Sequence, residues 1–289
     1  MMKRADLYIL TAAALWGCIG IFLKRLTAAG LTSMQSVAVR SLAAASLCLL
    51  WILCTDRAAL RIRLRDCGYF IGTGIFSLVF FNWCYFNAIQ ASSMAVAAVL
   101  LYTSPVFVML MSALFFRESV TPLKIIALAV TLAGCALVTG LLPPGGAPVS
   151  LSTILFGLGS GFGYALYTIF GKLALEKYPS STVTLYTFLF ALLGSLPLSG
   201  LWNAPELLLD RQVILAGLGI GVFCCILPYL LYTEGLRRAQ AGKAAILATA
   251  EPFVAALIGI FLYHEEVTIW KLLGMCAILG AIALLNRGE

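Results

Sequence analysis

Glu251 is the residue with the most chemistry to offer. It is a carboxylate near the middle of an apolar run, followed at once by Pro252. A charge at the centre of a bilayer costs about 2.5–3.5 kcal/mol on insertion scales. The side chain is therefore expected to face a protein interior, where it would bind an ammonium group or a proton. The plainer alternative is structural, a pairing with a neighbour such as Arg40 or a protonated acid. Arg40 lies about two turns into the second apolar run. Its forked guanidinium suits a carboxylate or phosphate, and the alternative is snorkelling toward an interface.

Pro105 and Pro252 sit inside apolar runs. Each removes an N–H and is expected to free the carbonyl four residues earlier, Leu101 and Ala248. Broken helices at matching places in two halves mark substrate sites in carriers; a simple kink is the bland reading. Tyr102, Ser104 and Thr249, flanking the two prolines, join the candidate binding set. Asn82 and Tyr85 share one helical face, as do Tyr229 and Tyr232. Such polar-tipped residues either line an aqueous cavity or hydrogen-bond between helices. Trp16 fits a cavity wall or a packing anchor. Glu118 and Glu265 fall at helix ends and read as structural. A lone histidine, His264, cannot build a metal site, so neither a metal nor a cofactor is expected.

These residues need elements to hold them. The chain has 289 residues, 62% hydrophobic and 11% charged, where a soluble domain carries roughly a quarter charged. Its mean hydropathy is +1.02. Apolar runs near the length that crosses a bilayer predict ten spans: 7–26, 34–54, 67–88, 93–115, 122–142, 151–174, 182–201, 213–234, 244–262 and 268–286. Helices are the only open structure whose backbone is satisfied in lipid. The fold class is therefore all-α integral membrane. The glycine run 157–163 lacks the strand a nucleotide loop needs, and its spacing instead permits close helix approach. The nine cysteines lie in or beside apolar runs, which favours packing over disulfides.

The net charge of +7 is a topology signal, not a nucleic-acid footprint. With the N-terminus inside, fourteen of the nineteen Lys and Arg fall on one side. The positive-inside rule then places both termini in the cytoplasm.

Residues 85–138 align without a gap onto 232–285, at an offset of 147. Matched pairs include Pro105/Pro252, Glu118/Glu265, Val120/Val267, Thr121/Thr268 and Lys124/Lys271. Lys24 falls opposite Lys172. The expected organisation is a first five-helix repeat at 1–142, a Pro/Gly linker at 143–150 and a second repeat at 151–289. An odd number of helices per repeat inverts the second one, an architecture known in transporters.

The motifs "AAALWG" at 12–17, "SPVFVMLMSALFFRESVT" at 104–121 and "EPFVAALIGIFLYHEEVT" at 251–268, with Arg40, resemble the drug/metabolite transporter superfamily in its EamA-domain branch. One departure is Gly163-Tyr164 in the sixth span where the first has Trp16-Gly17. The resemblance implies a secondary carrier in a bacterial cytoplasmic membrane, exporting or exchanging small metabolites. Amino acids or their derivatives come first, with protons or a counter-substrate as coupling partners. The two five-helix halves are expected to rock around a midplane cavity. A nucleotide-sugar or phosphorylated-solute carrier ranks lower, since Arg40 is the only basic group deep within a span. A membrane-embedded enzyme or sensor ranks lower again, because one central carboxylate is a thin catalytic set and no P-loop is present.

Overall fold

The computed structural model describes residues 3–141 and 149–287. The expected linker lies outside the described residues as far as residue 148. Ten apolar helices follow one another among the described residues: α1 (Arg4–Ala28), α2 (Ser33–Thr55), α3 (Leu64–Ala91), α4 (Met94–Phe116), α5 (Pro122–Val138), α6 (Leu151–Leu175), α7 (Ser180–Ser199), α8 (Arg211–Arg238), α9 (Ala241–Tyr263) and α10 (Ile269–Leu285). Eight of them are long and apolar enough to cross a bilayer, and α5 and α10 are shorter. Every predicted span thus has its helix.

Local chemistry sets the ends. Thr32, Ser93, Thr121, Ser150 and Asp210 each accept a backbone N–H from the first turn of the helix they precede, satisfying donors that have no intrahelical partner. Arg117 and His264 end α4 and α9 in the left-handed region, at φ 54° and 53°. Around the bundle, Leu114, Phe115, Leu151, Phe261 and Ile269 point outward and exposed. Such a belt is stable against hydrocarbon and not against water.

The most extensive contacts run between helices of different halves. α2 lies along α7, α3 along α6, α5 along α10, and α1 against α8 and α9. The two halves are thus interleaved among the described residues.

The α5–α10 contact depends on two glycines. A Cβ on Gly274 would stand 2.6 Å from the Gly134 carbonyl oxygen, and one on Gly134 would stand 2.9 Å from that of Gly274. Gly274→Val is expected to destabilise the protein by about 1–3 kcal/mol through overpacking. Gly280→Val, where an added Cβ meets nothing within 4 Å, serves as the control. Thermal unfolding in detergent reads the difference, and equal midpoints for the two variants would refute the close contact.

Both expected helix breaks are present. α4 consists of Met94–Leu101 and Ser104–Phe116, interrupted at Tyr102 and Thr103. α9 consists of Ala241–Ala248 and Ala250–Tyr263, interrupted at Thr249. Each proline falls in the first turn of the second piece, where its missing N–H disrupts nothing. The carbonyls near the breaks are partly re-satisfied: Thr103 Oγ1 donates to Leu100 O at 2.6 Å, and Thr249 Oγ1 to Ile246 O at 2.5 Å. α3 and α8 each contain a wide π-helical stretch, Gly72–Val79 and Gly221–Ile226. Such stretches recur at functional positions in helices.

Candidate functional site

The breaks, the π-helical stretches and the first turns of α2 surround a cavity of about 740 Å³. It runs from the level of Glu251 to the helix ends at Lys24, Ser33, Gln90, Met94 and Glu265. Those ends lie opposite the face that carries Asp6, Glu118, Lys172 and Lys243, none of which lines the cavity. The latter is the basic face, and the cavity mouth lies on the far face.

Gly17 brings the site together. A Cβ there would stand 2.9 Å from the Glu251 carbonyl oxygen and 2.8 Å from Val254 Cβ. Only glycine lets α1 lie this close to the break in α9, which sets Trp16 beside the cavity. Trp16 contacts Tyr229 with ring centroids 5.3 Å apart and Tyr232 at 5.2 Å, and Tyr167 contacts Tyr229 at 4.9 Å. α1, α6 and α8 thereby build one aromatic wall.

Glu251 lies deep in the protein yet remains partly accessible through the cavity. Tyr164 Oη donates to its Oε2 at 3.2 Å. It sits in the first turn of the second α9 piece, where the helix N-terminus favours negative charge. Arg40 follows Ser33 and Ser36 on the cavity face of α2. Its residue exposure is 7%, and among the described residues it has no carboxylate within ion-pair distance. The alternative of a structural Arg40–Glu251 pair is therefore not realised. Tyr229 lines the same cavity as both.

Of the residues singled out by sequence, Trp16, Arg40, Asn82, Tyr85, Tyr102, Tyr229 and Glu251 line the cavity. Ser104 and Thr249 do not. Ser104 is buried, and the Thr249 hydroxyl is turned to its own helix. Pro105 and Pro252 shape the breaks from behind the lining. Asn82 Nδ2 donates to Leu78 O at 2.6 Å, leaving its carbonyl oxygen as the group to offer.

Sequence reasoning missed Ser77, Tyr164, Tyr167 and Thr168, all in the lining. Ser77 Oγ and Tyr167 Oη are buried, with no hydrogen-bond partner among the described residues. Thr168 shares a 2.7 Å hydrogen bond with Tyr232. The signal for α6 was the Tyr164/Tyr167 spacing of three, next to the departure at Gly163-Tyr164.

The arrangement offers the Glu251 carboxyl and the Arg40 guanidinium within an aromatic chamber whose open end carries Lys24 and Glu265. Among known proteins, the chain matches the model of the EamA-like transporter family twice, over residues 3–140 and 151–287. It is 32% identical to an uncharacterized transporter of Archaeoglobus fulgidus, over 80% of this chain and 82% of that one. It is 27% identical to the uncharacterized inner membrane transporter YicL of Salmonella typhimurium, over 98% and 95% of the two chains. It is 29% identical to the threonine/homoserine exporter RhtA of Escherichia coli K12, over 69% and 65%. A solved crystal structure superposes with a TM-score of 0.82 over the whole of both chains at 19% identity, which concerns the fold alone.

Proposed function

The chain belongs to the EamA-like transporter family, a multi-pass transporter of the cell membrane, and from that premise we propose that its solute is a small zwitterion of the amino-acid class. One observation carries the reading: Glu251 and Arg40 line the same cavity without pairing to each other. Glu251 takes the ammonium group of the solute and Arg40 its carboxylate. The wall of Trp16, Tyr167, Tyr229 and Tyr232 encloses the apolar remainder. A buried charge without a partner is costly, and a zwitterion neutralises both at once. The relative named a threonine/homoserine exporter agrees with this class.

The basic face is cytoplasmic by its Lys and Arg excess, so the cavity opens to the outside. The repeats 1–142 and 151–289 enter the membrane from opposite sides, and access alternates around Glu251. A proton on Glu251 replaces the departing ammonium on the return step.

Counterflow into proteoliposomes with a pool of labelled amino acids tests the solute class, with a nucleotide-sugar pool in parallel. Accumulation of an amino acid is the expected result. Accumulation from the nucleotide-sugar pool alone would overturn it. Tyr164→Phe removes the hydrogen bond from Tyr164 Oη to Glu251. It is expected to weaken the apparent affinity by about three- to tenfold. An unchanged concentration dependence would remove Tyr164 from the site.

A further inference from the structure

The basic face is closed by a defined set of contacts around the end of α4. Glu118 Oε1 accepts from Lys172 Nζ at 2.7 Å and from the Ala241 N–H at 2.7 Å, and Oε2 accepts from the Gly242 N–H at 3.1 Å. Lys172 Nζ also stands over the Phe116 ring, 5.3 Å from its centroid. Lys124 Nζ donates to Ser119 O at 2.7 Å and to Gln240 Oε1 at 2.5 Å. Each tie from Glu118, and that from Lys124 to Gln240, joins the first half of the chain to the second.

The same parts stand at the far face, arranged differently. At the offset of 147, Phe116, Glu118 and Lys124 become Tyr263, Glu265 and Lys271, and one residue out of that register Lys24 falls opposite Lys172. The local backbones agree: Arg117 and His264 share the left-handed conformation, and the Glu118 N–H to Ser112 O bond recurs as Glu265 N–H to Gly259 O. Lys24 Nζ stands over the Tyr263 ring, 3.2 Å from its centroid, as Lys172 does over Phe116. Lys271 donates to Glu266 O at 3.4 Å, as Lys124 does to Ser119 O.

One contact differs. Glu265 is held by Lys271 at 3.0 Å, not by Lys24. Its side chain is 50% exposed, against 8% for Glu118. Lys24, Tyr263, Glu265 and Met94 all line the cavity mouth.

We infer that Lys24 and Glu265 are the two sides of a latch that shuts the far face. When the cavity closes there, Glu265 leaves Lys271 and accepts from Lys24 and from the N–H groups of Met94 and Ala95, the counterparts of Ala241 and Gly242. Lys271 then turns to Ser93, the counterpart of Gln240. The Glu118 cluster opens in the same step. The inference rests on the carrier reading, but not on the identity of the solute.

Hydrogen exchange at Met94 and Ala95 in the full chain in lipid nanodiscs tests it, with no solute present. Glu118→Gln releases the basic face. It is expected to slow exchange at Met94 and Ala95, at the opposite end of the protein, by about tenfold. Adding Glu265→Gln or Lys24→Met in that background should abolish the slowing. Lys172→Met, which loosens the same face while leaving Glu118 in place, should act in the same direction and stands in should Glu118→Gln not fold. Exchange that ignores Glu118 and Lys172, or slowing that survives loss of Glu265, would overturn the latch. Amino-acid counterflow without these shifts leaves the solute reading and removes the latch; the shifts without counterflow do the reverse.

Discussion

Glu251→Gln is expected to abolish amino-acid counterflow, by about 100-fold or more, while the folded carrier is recovered in normal yield. The substitution keeps shape and a hydrogen-bond acceptor for Tyr164 but removes the charge. A hydrogen bond to a charged group contributes about 1.5–3 kcal/mol, and tenfold corresponds to about 1.4 kcal/mol. Losing the ammonium contact therefore accounts for up to about two decades, and losing the proton-carrying step adds to it. Glu251→Leu separates function from folding, because it also removes the acceptor. If Glu251→Gln transports normally and Glu251→Leu merely unfolds, the carboxylate is structural and the site assignment fails.

Glu118→Ala is expected to cost about 2–4 kcal/mol of stability. It removes the carboxylate partner of Lys172, which keeps only the Ala239 carbonyl at 3.0 Å, and leaves two backbone N–H groups unmet. The upper end of the range for buried pairs is trimmed because the Lys172 side chain is 21% exposed. Burial pushes the Glu118 carboxyl up, but the Lys172 ammonium and the Ala241 and Gly242 N–H groups outweigh it and hold it below the usual range. A carboxylate whose folded value is depressed stabilises the fold above its unfolded value, near 4.3, and loses that contribution as pH falls through the folded value. Thermal unfolding in mild detergent should therefore show a steeper loss of stability below about pH 4 in the unmodified chain than in Glu118→Ala. Parallel pH profiles would mean that Glu118 does not carry the tie.

The spans, the two breaks and the interior placement of Glu251 were legible in the sequence because each depends on local physics. An apolar run near 20 long must be buried in lipid or protein, a proline inside it must cost a backbone bond, and a carboxylate in its middle must find a polar cavity or a proton. Ser77, Tyr164, Tyr167 and Thr168 escaped because helices surrounded by lipid and protein are apolar on both sides. Hydrophobic periodicity then no longer separates the cavity face from the lipid face. Ser104 and Thr249 were drawn in by their nearness to Pro105 and Pro252, but the breaks turn the Thr249 hydroxyl onto its own helix. The interleaving of α2 with α7 and of α5 with α10 was hidden for a different reason. A linear repeat gives the equivalence of helices and says nothing about which helix each one packs against. The roles of Glu118 and Glu265 illustrate both points. Sequence marked them as structural helix-end residues, and only their different partners show one set closed and the other open.

Several ties hold the basic face shut: Glu118 with Lys172, Lys124 with Gln240, and Asp6 with Lys243 at 3.1 Å. On the carrier reading proposed above, these ties bias the empty protein toward the state closed at that face. A solute arriving from the basic side meets a receptive molecule only in the minor population, and its apparent dissociation constant from that side rises by the inverse of that fraction. Export would then stay low at modest internal concentrations and climb as the solute accumulates. On the same reading the strength of these ties sets an overflow threshold, and weakening one of them is expected to make the cell leak a metabolite it would otherwise retain.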